Sequence, residues 1–561
     1  MTNFLENIFT QLKRADDRVV LREIRGEQFV SVTGGELLGQ IQRVRGYLRR
    51  AGLQPGDRCA LLAANSVRWA AFDLALMAEG AIAVPLYSRQ APAELAGMMK
   101  DCQARLLFVG DVELGESVAQ AWVHPPRRVP FEEALQPSAS AQIVPEFPNP
   151  RRDTDLVTIL YTSGTSGEPK GVCLNVGNVT HMISCTTERL DQLMGETHEP
   201  DRVFHYLPFN FAASWIVLLT YLTRESVLTL STDLNKLADE IRLASPHYFL
   251  NVPTLLERVR RGVEEALSKR PAIIRSLFAK TSDAWQRLRV GRGRPMDAVW
   301  LGLGRKLIFG KIKERFGKHL RTLICGSAPL SPETQQFFLM LGIPVLQGYG
   351  LTETTGICTL DDPRVPVEPG YVGTAISGIE MRIAENEEIV VRGPHIFPGY
   401  WNRPEETARV LQDGWFHTGD QGEVNVRGNW RISGRIKNLI ILNSGHNIAP
   451  EPIEERIARL LPSAQQVVVV GNGRGYLCAL LTGSVEPAAV QAVLDSFNPE
   501  LPHYRQIRNF TVIPEAFTLE NGLLTANGKV RRGAINARYA AEIKAIYDGA
   551  GAREAASGKH G

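Results

Sequence analysis

Residues 161–171 read Tyr-Thr-Ser-Gly-Thr-Ser-Gly-Glu-Pro-Lys-Gly. Seven of the eleven are Gly, Ser or Thr, and Lys170 closes the run. Just before it, Leu156-Val157-Thr158-Ile159-Leu160 is apolar and β-branched and predicts a buried strand. A strand feeding such a loop suits phosphate. Glycine lets the backbone come close, successive N–H groups and hydroxyls donate to phosphate oxygens, and Lys170 adds a positive charge. The run is not a Walker loop, because Lys170 stands between Pro169 and Gly171 instead of before Ser or Thr. Taken alone, the same residues also suit a flexible surface loop.

Working outward, apolar runs alternate with helical patterns. Leu37, Leu38, Ile41, Val44 and Leu48 share a helical face, and Cys59–Ala63 predicts a buried strand. A helix over 67–79, a strand over 81–86, a helix over 92–102 and a strand over 105–109 follow. Residues 125–150 hold seven prolines and predict an irregular connection. Beyond the opening run, a helix over 177–191, strands at 203–208 and 226–230, and a helix over 233–244 continue the alternation. Such βα alternation predicts a largely parallel sheet. Past residue 365, short alternating segments at 379–384, 387–392 and 422–432 predict antiparallel strands. Helix 450–461 and strands 466–470 and 477–482 complete a smaller pattern.

At 561 residues the chain is too long for one core. The most apolar stretch, Trp69 to Tyr87, is interrupted by Asp73 and Glu79, so no membrane span is expected. No basic region followed by an apolar run opens the chain, and no signal peptide is expected. Seven scattered cysteines without a Cys-x-x-Cys speak against zinc and a disulfide framework, and fit a cytoplasmic setting. Net charge is only +3, and no nucleic-acid partner is expected. The charge is uneven, however: residues 256–321 carry eighteen Lys and Arg against six Asp and Glu. That block suits an anionic membrane surface, which would place the protein peripherally at the inner face, or a polyphosphate ligand. It equally suits a solvated helical face.

Four further stretches share the chemistry of the first. Gln347-Gly348-Tyr349-Gly350-Leu351-Thr352-Glu353 offers a flat aromatic, close-approach glycines and a carboxylate, suited to a stacked purine and a magnesium ion. Gly414-Trp415-Phe416-His417-Thr418-Gly419-Asp420 places an acid after a turn, where it can accept from ribose hydroxyls. Gly434-Arg435-Ile436-Lys437 supplies cations at an apparent domain boundary, and Ala526-Asn527-Gly528-Lys529 a lysine on a glycine-containing loop. Read singly, Glu353 also suits a helix first turn, Asp420 a turn and Lys529 an ordinary surface position.

Together and in this order, the five motifs resemble the adenylate-forming superfamily, over residues 20 to 548. The resemblance implies an α/β fold: a large N-terminal domain of βαβ-built sheets with a β-barrel-like subdomain (1–434), a hinge (435–437), a small mobile α+β domain (438–548), and a disordered tail (549–561). It implies that a carboxylate attacks ATP to give an acyl-adenylate and pyrophosphate, and that a thiol, usually of coenzyme A, then takes the acyl group. Thr162, Ser163, Gly164, Thr165, Ser166, Gly167 and Lys170 match the family's β/γ-phosphate loop. Gly326, Ser327 and Ala328 match its adenine site, with Gly348, Tyr349 and Gly350. Thr352 matches a ligand of the α-phosphate, Glu353 the magnesium ligand, and Asp420 and Arg435 the ribose contacts. Lys437 matches the hinge and Lys529 the catalytic lysine. Ser444, Gly445 and His446 resemble the loop that lines the pantetheine tunnel.

The helical stretch between Pro253 and Gly326 resembles the long-chain fatty acyl-CoA synthetase branch, as does Gly-Lys-Val-Arg-Arg-Gly-Ala-Ile at 528–535. Many members carry a histidine shortly after Leu-Pro-Leu. Here Leu207-Pro208-Phe209 is followed by Asn210-Phe211. Phe209, Phe211 and Trp215 suit an acyl-pocket lining or core packing alike. The expected substrate is a long- or medium-chain fatty acid, with ATP, Mg2+ and coenzyme A. The alternative is a fatty acyl-AMP ligase that loads the phosphopantetheine thiol of an acyl carrier protein.

Overall fold

The structure is a computed structural model. It describes residues 2–137, 144–163, 169–195, 199–525 and 528–557. The chain forms two compact units. The larger comprises Met1–Met381, Val391–Phe416 and Val424–Arg431; the smaller comprises Arg382–Val390, His417–Glu423 and Ile432–Gly561.

In the larger unit a seven-stranded sheet has the order Gly399–Tyr400, Pro169–Asn175, Leu156–Ser163, Ile82–Leu86, Arg58–Leu62, Leu106–Val109, Arg127–Pro130. From Leu156–Ser163 to Arg127–Pro130 every neighbour pair is parallel. The inner strands read as apolar runs because helices cover both faces: Ile82–Leu86 and Leu106–Val109 are buried at every position, whereas the edge strand Arg127–Pro130 exposes both arginines. A four-stranded sheet (Gln28–Thr33, Val19–Arg25, Ser226–Leu230, Asp201–His205) and a five-stranded one led by Leu250–Asn251, Leu323–Cys325 and Val345–Tyr349 complete the βα part. Residues 380–435 supply a further five-stranded sheet. The α/β class and the layered architecture follow the expectation.

Three local readings are corrected. Residues 125–150 are not irregular throughout: Arg127–Pro130 is a strand and Phe131–Leu135 a helix. Pairing with Leu106–Val109 imposes the strand, and its edge position tolerates Pro130. Residues 422–432 are not one segment. The Asn425 side chain accepts from the N–H groups of Arg427 and Asn429, which turns the chain between Trp415–Val424 and Trp430–Arg435. Helix 233–244 begins as a 3-10 turn, Leu234–Lys236, before Leu237–Ala244.

Further along the proline-rich connection, Pro145 and Phe147 are tied down by a buried guanidinium. Arg45, fully buried, pairs with Glu79 at 2.7 Å and donates to the carbonyls of Pro145 (2.7 Å) and Phe147 (3.1 Å). Arg45→Met should lower stability by about 2–4 kcal/mol, because the Phe147 carbonyl loses its guanidinium donor, the Pro145 carbonyl keeps only the longer bond from Gln42, and the buried Glu79 is left to Arg49 and Asn149. Chemical denaturation checks this; an unchanged midpoint would remove the role given to Arg45.

A second buried charge sets a pH dependence. Asp73 accepts from the Trp215 indole N–H at 2.7 Å, and burial pushes its carboxyl up to about 7. A folded pKa above the unfolded value of ~3.9 gives stability that is complete below about pH 4 and lost as pH rises through 7. Between pH 5 and pH 8 the loss amounts to roughly 2–3 kcal/mol from this group alone. Asp73→Asn keeps the acceptor for Trp215 and should flatten the alkaline fall. Asp361, also pushed up to about 7 by burial, keeps part of the slope. Denaturation midpoints at the two pH values, compared between wild type and variant, measure the difference.

The smaller unit carries a three-stranded sheet (Gln466–Val470, Leu477–Thr482, Ile507–Ile513) and helices Glu451–Leu460 and Pro487–Phe497. Ile453, Ile457, Val469, Leu481 and Leu494 meet in its core. Arg532 forms a buried pair with Glu454 in the same unit. The last helix runs Ala540–Ser557 and takes in most of the stretch expected as a tail. No helix among the described residues is long and apolar enough to cross a membrane.

Candidate active site

The described ends of the opening run pair with each other. Leu156–Ser163 pairs antiparallel with Pro169–Asn175, Thr162 facing Lys170. Lys170 therefore stands on a strand and not in the loop. Gly164, Thr165, Ser166 and Gly167 lie outside the described residues. Lys170 Nζ is ion-paired with Glu406 and sits 5.4 Å from the centre of the Tyr400 ring. Tyr400 is held beside the hairpin because Gly399–Tyr400 pairs with Val172 and Cys173. Its hydroxyl donates to Glu353 Oε1 at 2.8 Å. Burial, with the carboxylate beside it, pushes the phenol well above its ordinary range, so it remains a donor. Glu353 lies in the 3-10 turn Thr352–Thr354, and its carbonyl accepts from Phe397 N–H at 2.9 Å. One tyrosine thus joins the phosphate hairpin to the acid expected on magnesium. Sequence reasoning missed Tyr400, although Pro398-Gly399-Tyr400-Trp401 was a signal of the same glycine–aromatic kind.

The adenine-type residues converge at strand ends. Leu323–Cys325 and Val345–Tyr349 are parallel neighbours, so Gly326 and Gly348 meet at their carboxyl edge. A Cβ on Gly326 would stand 3.3 Å from the Gly348 carbonyl oxygen, and one on Gly350 only 2.4 Å from that of Gly356. Gly350 therefore tolerates no side chain. Ser327 holds φ 72°, a left-handed conformation uncommon outside glycine. Ligands of open α/β sheets bind at such carboxyl edges.

A cleft of about 910 Å³ opens beside Pro208, Phe209 and Asn210. Phe209 lines it and stacks on His205, the ring centres 5.1 Å apart. Phe211 lies 5.9 Å from Tyr87, which also lines the cleft. Trp215 is fully buried on Asp73 and is core.

In the smaller unit, Asp420 lies within strand Trp415–Val424, which follows the turn at Asp413 and Gly414, so the acid comes after a turn as expected. It is 2% exposed, and Arg435 Nε reaches its Oδ1 at 2.9 Å. Glu388 accepts from Gly419 N–H at 2.9 Å and lies 2.8 Å from His417 Nδ1, which fixes the backbone before Asp420. Gly434 is pressed by Ala449: a Cβ there would meet the Ala449 methyl at 2.6 Å. Lys437 lies in the turn Ile436–Asn438. Lys529 is exposed, on a turn closed by Thr525, whose N–H donates to the Lys529 carbonyl at 2.8 Å and whose hydroxyl accepts from Lys529 N–H at 3.1 Å. Ser444, Gly445 and His446 cap the hairpin Ile440–Ile441/Asn447–Ile448, with His446 stacked on Tyr504, ring centres 4.1 Å apart.

The chain is similar to long-chain-fatty-acid–CoA ligase FadD15 of Mycobacterium bovis, 28% identical over 97% of both chains. It is also 28% identical to peroxisomal long chain acyl-CoA synthetase 7 of Arabidopsis thaliana, over 92% of this chain and 81% of that one. Among solved structures, O-succinylbenzoate coenzyme A synthetase of Bacillus subtilis in complex with AMP has the same fold. Its TM-score is 0.73 at 20% identity, covering 94% of this chain and 97% of that one. The AMP-binding enzyme family matches residues 8–401, and the AMP-binding enzyme C-terminal domain matches 437–551. With 8–401 alone spanning more than half of the 561 residues, the chain belongs to the AMP-binding enzymes.

Proposed function

We propose that the protein activates a long- or medium-chain fatty acid with ATP to an acyl-adenylate, releasing pyrophosphate, and then transfers the acyl group to coenzyme A. The observation that carries the reading is the Lys170–Tyr400–Glu353 arrangement beside Gly326 and Gly348–Gly350, in a chain of this family. Lys170 and the hairpin tip receive the β- and γ-phosphates. The strand-end glycines let a purine lie flat against Tyr349. Tyr400 holds Oε1 of Glu353, and the Glu353 carboxylate would be the hard ligand for a magnesium ion; one carboxylate plus phosphates is that ion's usual protein-site chemistry. When bound, magnesium offsets charge on the departing pyrophosphate. Asp420, held by Arg435, accepts from the ribose hydroxyls, and Thr352 donates to the α-phosphate. Lys529 donates to both the attacking carboxylate and the α-phosphate, whose mutual repulsion at ~4 Å and an effective dielectric near 20 is about 4 kcal/mol. Lys437 serves as the hinge, and Ser444, Gly445 and His446 border the path of the thiol. The apolar part of the cleft at Phe209 receives acyl chain.

The relatives' names favour coenzyme A over a carrier protein as acceptor. All seven cysteines are free and buried, which suits a reducing cytoplasm. A peripheral place at the inner membrane face belongs to the same proposal. The test is a panel of carboxylic acids assayed for pyrophosphate and for acyl-CoA. Acid-dependent release of both products is expected. Adenylate that accumulates with coenzyme A present, and acylates only a carrier protein, would replace this reading by the acyl-AMP ligase one.

A further inference from the structure

The basic segment is helical, as its sequence led one to expect: Pro253–Ser268, Ala272–Arg289 and Pro295–Gly304, the last continued by the π-turn Arg305–Phe309. What the sequence did not show is where its apolar side chains point. Met296, Val299, Leu303 and Leu307 are 55, 48, 39 and 48% exposed. Their spacing of three, four and four residues makes one row along the helix. The opposite side is spent on packing. Leu301 and Ile308 are buried, and Gly304 closes on Thr281, to which a Cβ would come within 2.5 Å. Seven of the twenty exposed large hydrophobic side chains among the described residues fall within 273–307, so the row is a concentration and not background.

Around it stand Arg289, Arg292, Arg294, Arg305, Lys306 and Lys311, all exposed. The one acid between residues 284 and 313, Asp297, is buried and bound to Arg287, so it does not offset that field. An apolar row rimmed by cations, on helices too short and too polar to span, is the pattern of a helix that lies in a lipid interface. A second copy of the chain is a poor occupant, since it would bring the same six cations against these.

We propose that the Ala272–Phe309 arm docks on an anionic bilayer, seating Met296, Val299, Leu303 and Leu307 at the acyl boundary and the flanking arginines and lysines on lipid phosphates. This deepens the peripheral placement proposed above by naming the face that makes it; the catalytic reading is not used. Each such cation is worth about fivefold in partition at low salt.

The test is co-sedimentation of the full chain with vesicles of phosphatidylglycerol and phosphatidylcholine, against pure phosphatidylcholine, at 50 and 300 mM salt. Binding at least tenfold stronger to the anionic vesicles is expected, weakening with salt. Val299→Asp/Leu303→Asp should lose at least tenfold, and Arg305→Glu/Lys306→Glu at least as much, with melting temperatures unchanged because all four side chains are exposed. Arg270→Glu, an exposed cation outside the arm, should bind within twofold of wild type. No anionic preference, or equal loss in all variants, overturns the proposal. So does a concentration-dependent dimer that Val299→Asp/Leu303→Asp dissolves. No turnover enters the measurement, so a failed catalytic reading leaves its outcome intact.

Discussion

Replacing Lys529 by Ala is expected to slow adenylate formation by about three orders of magnitude. The repulsion it offsets, about 4 kcal/mol, converts at 1.36 kcal/mol per decade. The effect is expected in the first half-reaction alone. Transfer from supplied acyl-adenylate to coenzyme A should stay within a few fold of wild type, because the α-phosphorus has by then already reacted. The side chain is exposed, and the turn is closed by backbone and by the Thr525 hydroxyl, so folding should not confuse the result. Pyrophosphate release and thioester formation, measured separately, decide it. Equal loss in both would show that Lys529 supports the small unit and not the chemistry.

Glu353→Gln should lower adenylation by about a hundredfold, the usual scale for one preorganised charged group facing the transition state. The variant keeps an acceptor for the Tyr400 hydroxyl and so preserves the geometry. What it loses is the negative oxygen for magnesium, so the magnesium concentration giving half-maximal rate should rise. Tyr400→Phe serves as the control: the carboxylate stays charged but loses its 2.8 Å anchor, and about tenfold in rate with little change in magnesium dependence is expected. A Glu353→Gln enzyme with the wild-type magnesium curve would remove the metal role.

How far the sequence could be read depended on what held each element. Strands such as Arg58–Leu62 and Gln466–Val470 were legible because burial on both faces demands an apolar run. Helix Glu451–Leu460 was legible because one face alone is apolar. Two-residue strands such as Thr374–Ala375 and Gly399–Tyr400 were not, since only their partners make them strands. The same holds at the site. Gly326, Gly348 and Gly350 announce a close approach through residue type. Tyr400 does not, because its role arises from pairing with a hairpin more than two hundred residues earlier. Lys170 looked like a loop residue because the ladder that holds it, Thr162 against Lys170, is invisible in composition. The turn expected before Asp420 is legible in Gly414, which with Asp413 takes a positive φ, whereas the second positive φ, at Gly419, falls within the strand itself.

The ion pair between Lys170 and Glu406 has a consequence for the turnover cycle. The cation that would greet a triphosphate already carries a counter-ion from its own chain. On the proposed reading an arriving phosphate oxygen would have to displace Glu406, and capture would be an anion exchange whose driving force is the difference between two ion pairs. That same resident carboxylate works in reverse when pyrophosphate is formed. It would reclaim the lysine as the product departs, so on that reading the arrangement would give up some grip on the nucleotide and gain a faster reset of the site.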